Sequence, residues 1–320
     1  MAKSTRLFKS FTRLLFPVIL LIIVALSAGA VFLVYTMARP MNVRYLVTPS
    51  KYGQLSTRAA QVTDETWPNR DGSTARGWLL RGGENAPAVI LMHKYGADRS
   101  YVLNLGVKMN ESTNFTVLMP DLRGHGENPS VQNASFGGCE AEDAGAAIEF
   151  LRALKSPNQA PLIGKNLGVF GVEMGAVIAI SAAAKDQSIK AIAMDSVPAD
   201  SNSVLQASLE RRFPFASFAT TKLAKVGTYM YYFDGCYQRE TVCNTARLLQ
   251  NRDVLLLAGV DASEFQDSTS KLDRCFANTN KVEVKSDLSP SGYSIINASI
   301  EQSQTYDQRL IDFFRNSLGG

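Results

Sequence analysis

Leu167-Gly168-Val169-Phe170-Gly171-Val172 is a short apolar run that ends in Glu173, and Met174-Gly175-Ala176-Val177-Ile178-Ala179-Ile180 continues beyond it toward Lys185. The first run has the length and β-branched content of a buried strand, and the second the length of a helix. Between them there is room for a single sharp turn. Gly171 and Gly175 stand two residues before and after Glu173, where a helix that starts hard against a sheet leaves little space for side chains. The stretch therefore predicts strand, tight elbow, helix, with Glu173 at the tip of the elbow.

The same alternation extends in both directions. Further strands are expected at residues 88–93, 116–120, 189–195, 254–259 and 281–284, with helices at 99–110, 141–154, 174–185, 264–277 and 300–317. Strands buried on both faces and joined by helical crossovers make a mostly parallel sheet. Two earlier segments, 57–67 and 74–80, read as an antiparallel hairpin turning at Asn69-Arg70-Asp71-Gly72. Residues 199–250 break the pattern. They hold Phe213, Phe215, Phe218, Tyr229, Tyr231, Tyr232, Phe233 and Tyr237 and no clear strand, so a helical cap over the carboxyl edge of the sheet is expected there. The domain reading is an anchor over residues 1–38, a linker over 39–58 and one α/β domain over 59–320.

Motifs stand at successive strand ends: Met92-His93-Lys94-Tyr95-Gly96, Asp121-Leu122-Arg123-Gly124-His125-Gly126, the Glu173 elbow, Asp195-Ser196-Val197-Pro198-Ala199-Asp200, and Leu257-Ala258-Gly259-Val260-Asp261. In this order they resemble the α/β-hydrolase family, in particular its serine-aminopeptidase-like and membrane-anchored bacterial branches, over roughly residues 59–318. The resemblance implies an eight-stranded, mostly parallel sheet with helices on both faces. It also implies an oxyanion site near His93, Lys94, Tyr95 and Met174, a structural role for the Arg-Gly-His-Gly loop, a nucleophile at the centre of the elbow, an acid at Asp261, and a histidine after the last strand. Gly137, Glu140 and Asp143 match the family's Gly-x-x-Glu-x-x-Asp pattern, where a structural role is expected.

Position by position, the catalytic groups are replaced. Glu173 stands where the family has serine, and Tyr293, within Ser289-Pro290-Ser291-Gly292-Tyr293-Ser294, takes the place of the histidine. The chain has two histidines, His93 and His125, and none after residue 125. A serine hydrolase needs a hydroxyl activated by a neighbouring base, and a tyrosine with a pKa near 10 is a poor base at neutral pH. Glu173, Asp261 and Tyr293 therefore read as vestigial. Two functions remain. One is a pseudohydrolase acting as a ligand-binding or protein-interaction module, with a small apolar ligand beneath residues 199–250 or a membrane-protein partner on an outer face. The other is a hydrolase of an ester, amide or related bond that uses Glu173 in place of serine, with Asp261, Tyr293 and His93 assisting. An ion pair between Lys94 and Glu173, filling the pocket, is also expected.

Charge and hydropathy place the chain at a membrane. Residues 1–58 carry eight of the 33 basic side chains and none of the 29 acidic ones, so the other 262 residues hold 25 basic against 29 acidic groups. A mildly acidic globular part argues against a nucleic-acid groove. The 25 residues from Leu14 to Ala38 contain no charge, and about 20 helical residues cross a bilayer core. Pro17 is expected in the first turn of that helix, where a missing donor does least harm. A cleaved signal peptide is the rival reading, through Ala28-Gly29-Ala30, although the apolar run continues to Met37. Four basic residues precede the span and Arg39, Arg44 and Lys51 follow it closely, a small bias that favours a cytoplasmic N-terminus and a periplasmic or extracellular domain. Cys139, Cys236, Cys243 and Cys275 accord with an oxidising compartment and allow three full pairings, Cys236 and Cys243 being nearest in sequence. Sequons at Asn110, Asn114, Asn133 and Asn297 matter only where secreted proteins are glycosylated. No metal-ligand cluster, phosphate-cradling loop or cofactor motif is present.

Overall fold

The computed structural model describes residues 2–40, 45–54, 57–127, 129–237 and 240–319. In chain order the elements are α1 (Ala2–Ala38), α2 (Pro49–Tyr52), β1 (Thr63–Pro68), β2 (Thr74–Leu80), β3 (Ala86–Met92), α3 (Leu103–Thr113), β4 (Thr116–Pro120), α4 (Cys139–Ala153) and β5 (Ile163–Val172). They continue as α5 (Met174–Lys185), β6 (Ile189–Asp195), α6 (Ser201–Arg212), α7 (Phe218–Tyr231), α8 (Val242–Ala246), β7 (Asp253–Leu257), α9 (Ser263–Leu272), β8 (Lys281–Lys285) and α10 (Ile300–Leu318). Residues 41–44 and 55–56 of the expected linker and 238–239 of the expected cap lie outside the described residues.

The eight strands form one sheet in the order β1-β2-β4-β3-β5-β6-β7-β8. β1 and β2 pair antiparallel, β2 joins β4 antiparallel, and every later pair is parallel. The period-two alternation of β3 shows why both faces are covered. Ala88, Ile90 and Met92 join the core built with α4 and α5, while Val89 and Leu91 join the core built with α3 and α10. This sheet is the one the sequence predicts, with shifted ends. β1 begins at Thr63 rather than 57, and β5 begins at Ile163 because the polar Lys165 and Asn166 run on as strand through an irregular register. The helix expected at 99–110 starts as a 3-10 turn over Arg99–Val102, capped by the Asp98 side chain on Ser100 N. The one expected at 264–277 ends at Leu272 and tightens into a 3-10 turn.

α1 is one continuous helix from Ala2, so Pro17 lies in its interior rather than in its first turn. Leu15–Ala38 is long and apolar enough to cross a membrane. Side chains from Leu15 to Leu26 are exposed, whereas Leu33, Val34, Met37 and Ala38 pack into the domain. The docked end is held by polar contacts as well. Tyr95 Oη donates to Met37 O, Ala134 N to Ala38 O, and Arg39 Nε to Asn133 Oδ1.

Of the three cysteine pairings, the chain takes Cys139–Cys236 and Cys243–Cys275. The first ties the start of α4 to the loop after α7. The second ties α8 to the turn after α9. Neighbours in sequence, Cys236 and Cys243, do not pair.

Candidate functional site

The elbow has the geometry its glycines imply. Glu173 sits at φ 51°, ψ −108°, a conformation that costs a residue with a side chain about 1–3 kcal/mol. A Cβ on Gly171 would stand 2.0 Å from Gly175 O, and one on Gly175 would stand 2.5 Å from Met92 O. No side chain fits at either place. Glu173 is thus presented at the carboxyl end of β5, at the N-terminus of α5, between β3 and β6.

Its carboxylate has three donors. Oε2 accepts from Tyr95 N at 2.8 Å and from Met174 N at 3.0 Å. Oε1 accepts from Arg211 Nη2 at 3.0 Å. Backbone N–H groups of the residue after the elbow and of the β3 loop are the pair that forms an oxyanion hole in sheets of this kind. Here both converge on one oxygen of the chain's own glutamate, which is fully buried. The N-terminal end of α5 adds a favourable field for that negative charge.

Arg211 comes from the end of α6, inside residues 199–250, and sequence reading passed over it. A basic pair, Arg211-Arg212, ending the first helix of the insertion was the available signal. Its guanidinium lies 5.1 Å from the centre of the Tyr293 ring and 3.9 Å from Glu264 Oε1. The Lys94–Glu173 ion pair expected from sequence does not form. Lys94 Nζ donates to Tyr293 O at 2.6 Å and lies 4.2 Å over the Tyr293 ring. Burial pushes its ammonium down to about 8, the nearby Glu173 charge opposing that fall. The reason for the exchange is reach: Glu173 spends Oε2 on backbone donors, and Oε1 faces the insertion.

The remaining triad positions are also engaged elsewhere. Asp261 accepts from Ser291 N through Oδ1 and from Ser291 Oγ through Oδ2, each at 2.9 Å, and so ties down the loop before Tyr293. Tyr293 directs its hydroxyl to Glu264 Oε1 at 3.0 Å, and burial raises the Glu264 carboxyl. Beneath the loop, the buried Asp195 accepts from Gly292 N, Tyr306 Oη and Ser196 Oγ. Burial pushes its carboxyl up to about 6.

Neither histidine offers a free nitrogen. His93 Nδ1 faces Lys94 O at 2.8 Å, so it carries the proton, and Nε2 accepts from Leu122 N at 3.2 Å. His125 repeats the arrangement with Arg123 O and Gly96 N. Burial pushes the two imidazoles down to about 4 and about 3 respectively. Both are neutral pins between loops, and His93, expected beside a ligand, points into the core. Glu140 accepts from Ser135 N, Ser135 Oγ and Gly137 N, while Asp143 holds Arg123. These are structural contacts, as their motif implied.

Chemically, the arrangement is a saturated one. The oxyanion donors, the carboxylate at the elbow, the acid and both imidazoles each have partners within the chain.

No family model matches the sequence. Among solved structures, the esterase Pf2001 of Pyrococcus furiosus aligns with a TM-score of 0.66 and 19% identity, covering 89% of this chain and 99% of that one. The α/β-hydrolase GrgF of a Penicillium species aligns at 0.58 and 16% identity, covering 81% and 99%. At these identities the likeness establishes the fold, which is that of the α/β-hydrolases. A curated relative, polyketide transferase ATR5 of Stachybotrys chlorohalonatus, is 28% identical over 131 residues. The match takes in 40% of this chain and 42% of the relative, so the chain spans about two fifths of that protein's length.

Proposed function

We propose that this chain is a membrane-anchored α/β-hydrolase-fold protein whose acyl-transfer site is closed, and that it works as a binding or interaction module rather than as a hydrolase. The observation that carries this reading is the Glu173 carboxylate lying on the two donors, Tyr95 N and Met174 N, that a tetrahedral intermediate would need. Losing triad groups removes about 10⁴–10⁶ of the rate, and what remains comes from the oxyanion site and binding. Here that residue of catalysis is blocked too. With Arg211 across Glu173 and Lys94 on Tyr293, the outside of the insertion is the better working surface than the elbow.

A carboxylate nucleophile is less well supported. It would need an unpaired oxygen and a base to activate water for the second step, whereas Glu173 bonds through both oxygens and both imidazoles are committed to backbone. In this reading α1 anchors the chain, the N-terminus is cytoplasmic, and the domain lies in an oxidising compartment, supported by the two disulfides.

The test is ester, thioester and peptide-anilide turnover by the full chain in detergent, beside Glu173→Gln and Glu173→Ser/Tyr293→His. The native chain and Glu173→Gln are expected to match the background, with any gain confined to the double variant. Native turnover that Glu173→Gln abolishes would overturn the reading.

A further inference from the structure

The insertion carries a surface that the closed site does not explain. On α7, Phe218, Lys222, Val226 and Met230 recur every four residues and all point outward. Helices in a soluble domain bury such a stripe; this one buries the small side, Ala224 and Thr228, instead. The turns at either end add Phe215 at 99% exposure and Phe233 at 82%, with Phe218 itself at 75%. Residues 212–233 hold three basic and seven aromatic side chains and no acidic one.

The position of α7 gives that face its meaning. It runs beside the end of α1, with Gly227 against Val34 and Ala30, where an added Cβ would be 2.9 Å and 3.3 Å from their side chains, and Gly29 against Leu223. The apolar span begins at Leu15. About 20 helical residues are needed to cross the hydrocarbon core, which carries immersion to the level of Val34. The residues that touch α7 lie within that stretch. α1 cannot be seated in a bilayer without taking α7 to the lipid. A groove of about 390 Å³ between the two helices, walled by Val31, Val34, Gly227 and Met230, opens on the same side with Arg39 at its end.

We infer that α7 and its flanking turns form an interfacial membrane element. The Phe215–Phe218–Met230–Phe233 face lies among the lipid chains of the bilayer that α1 crosses, and its basic side chains reach anionic headgroups. Basic-aromatic helices seat in the interface in this way, and Lys222, whose ammonium lies 4.4 Å over the Phe218 ring, has the stem length to rise to the headgroups. The inference rests on the anchor reading above. Its consequence is orientation: the insertion, and with it the closed elbow, is held down on the membrane by two elements rather than one.

The test uses the full chain in phosphatidylglycerol/phosphatidylcholine vesicles containing dibrominated phosphatidylcholine, with Phe218→Trp, Met230→Trp and, as a control by the N-terminal edge of β7, Leu248→Trp. Native Trp67 and Trp78 are buried and provide the baseline. The α7 tryptophans are expected to be quenched at least about twofold more than the control, and to lose part of that difference in pure phosphatidylcholine. Equal quenching at all three positions in chain that resists alkaline extraction refutes the inference alone, leaving the α7 face to a protein partner. Extraction of the chain by alkali refutes the anchor and the inference together.

Discussion

Arg211→Ala is the substitution on which the account of the closed elbow depends most directly. It removes the one side-chain ion pair of a fully buried carboxylate while leaving Tyr95 N and Met174 N in place. Breaking a fully buried pair costs about 3–5 kcal/mol. Arg211 is 38% exposed, so water compensates part of this, and about 2 kcal/mol is the appropriate size, close to that of one charge-assisted hydrogen bond. Glu173→Gln should cost a similar amount for a different reason. The amide oxygen can still accept both backbone donors, which share Oε2 in the native chain, but its NH2 then faces the guanidinium donor to donor. Removing both groups dispenses with the interaction once, so the double variant should fall short of the sum by about 1–2 kcal/mol. For a domain of this size about 2 kcal/mol corresponds to a Tm shift of about 4–8 °C. Differential scanning calorimetry of the four proteins in detergent at neutral pH reads the cycle. Additive single effects, or an Arg211→Ala variant melting with the native chain, would show that Arg211 does not hold Glu173.

Acid should weaken the domain through its two neutral histidines. Their folded values near 4 and 3 lie below the ordinary 6.5, so the unfolded chain binds more protons, and stability falls as pH drops from about 6.5. Asp121 and Asp195, raised to about 6 from 3.8, act in the opposite sense: their contribution is greatest below 3.8 and is lost as pH rises through 6. Asp195→Asn, whose amide can keep Gly292, Tyr306 and Ser196 as partners, should therefore make the decline from pH 6.5 to 4 steeper in urea titrations; an unchanged slope would contradict the assignment. Gly175→Ala should cost at least about 3 kcal/mol, because its Cβ meets Met92 O at 2.5 Å. Gly96→Ala, at φ +75° with nothing within 4 Å, should cost about 1–2 kcal/mol; melting temperatures of the two order them, and equal values would count against the elbow geometry. The Cys139→Ser/Cys236→Ser variant loses a bridge across a separation of 97 residues, worth up to about 4–5 kcal/mol in chain entropy, and trypsin should then cut faster at Lys222 and Lys225, an expectation that unchanged cleavage would refute.

Much of the fold was legible because hydrophobic period and turn chemistry are local. The parallel strands appear as uninterrupted apolar runs, α5 follows a turn flanked by two glycines, and β4 and β6 begin and end where the runs do. Where polar residues lie within a strand across an irregular register, as Lys165 and Asn166 do in β5, no local pattern marks the boundary. The site divided in the same way. That Glu173 replaces serine and that no histidine follows residue 125 is plain from the order of residues. Which cation would meet Glu173 was not, because Arg211 arrives from a helix 38 positions away and wins over Lys94 by direction of approach. Glu264 and Ser291 were missed for the same reason, as partners of Tyr293 and Asp261 chosen by loop geometry.

The order of residues by itself determined that the chain folds around a mostly parallel sheet, that its elbow carries a carboxylate without a histidine base, and that one apolar segment is long enough to cross a membrane. These follow from side-chain chemistry and from periods of two and 3.6 residues, which need no knowledge of distant contacts. Only the tertiary structure decided that the Glu173 carboxylate turns back onto the oxyanion donors, which cysteines pair, and that α7 lies against α1 with its aromatic face outward. Each of those depends on which of several chemically suitable partners the packed backbone brings within about 3 Å, the range at which a hydrogen bond forms.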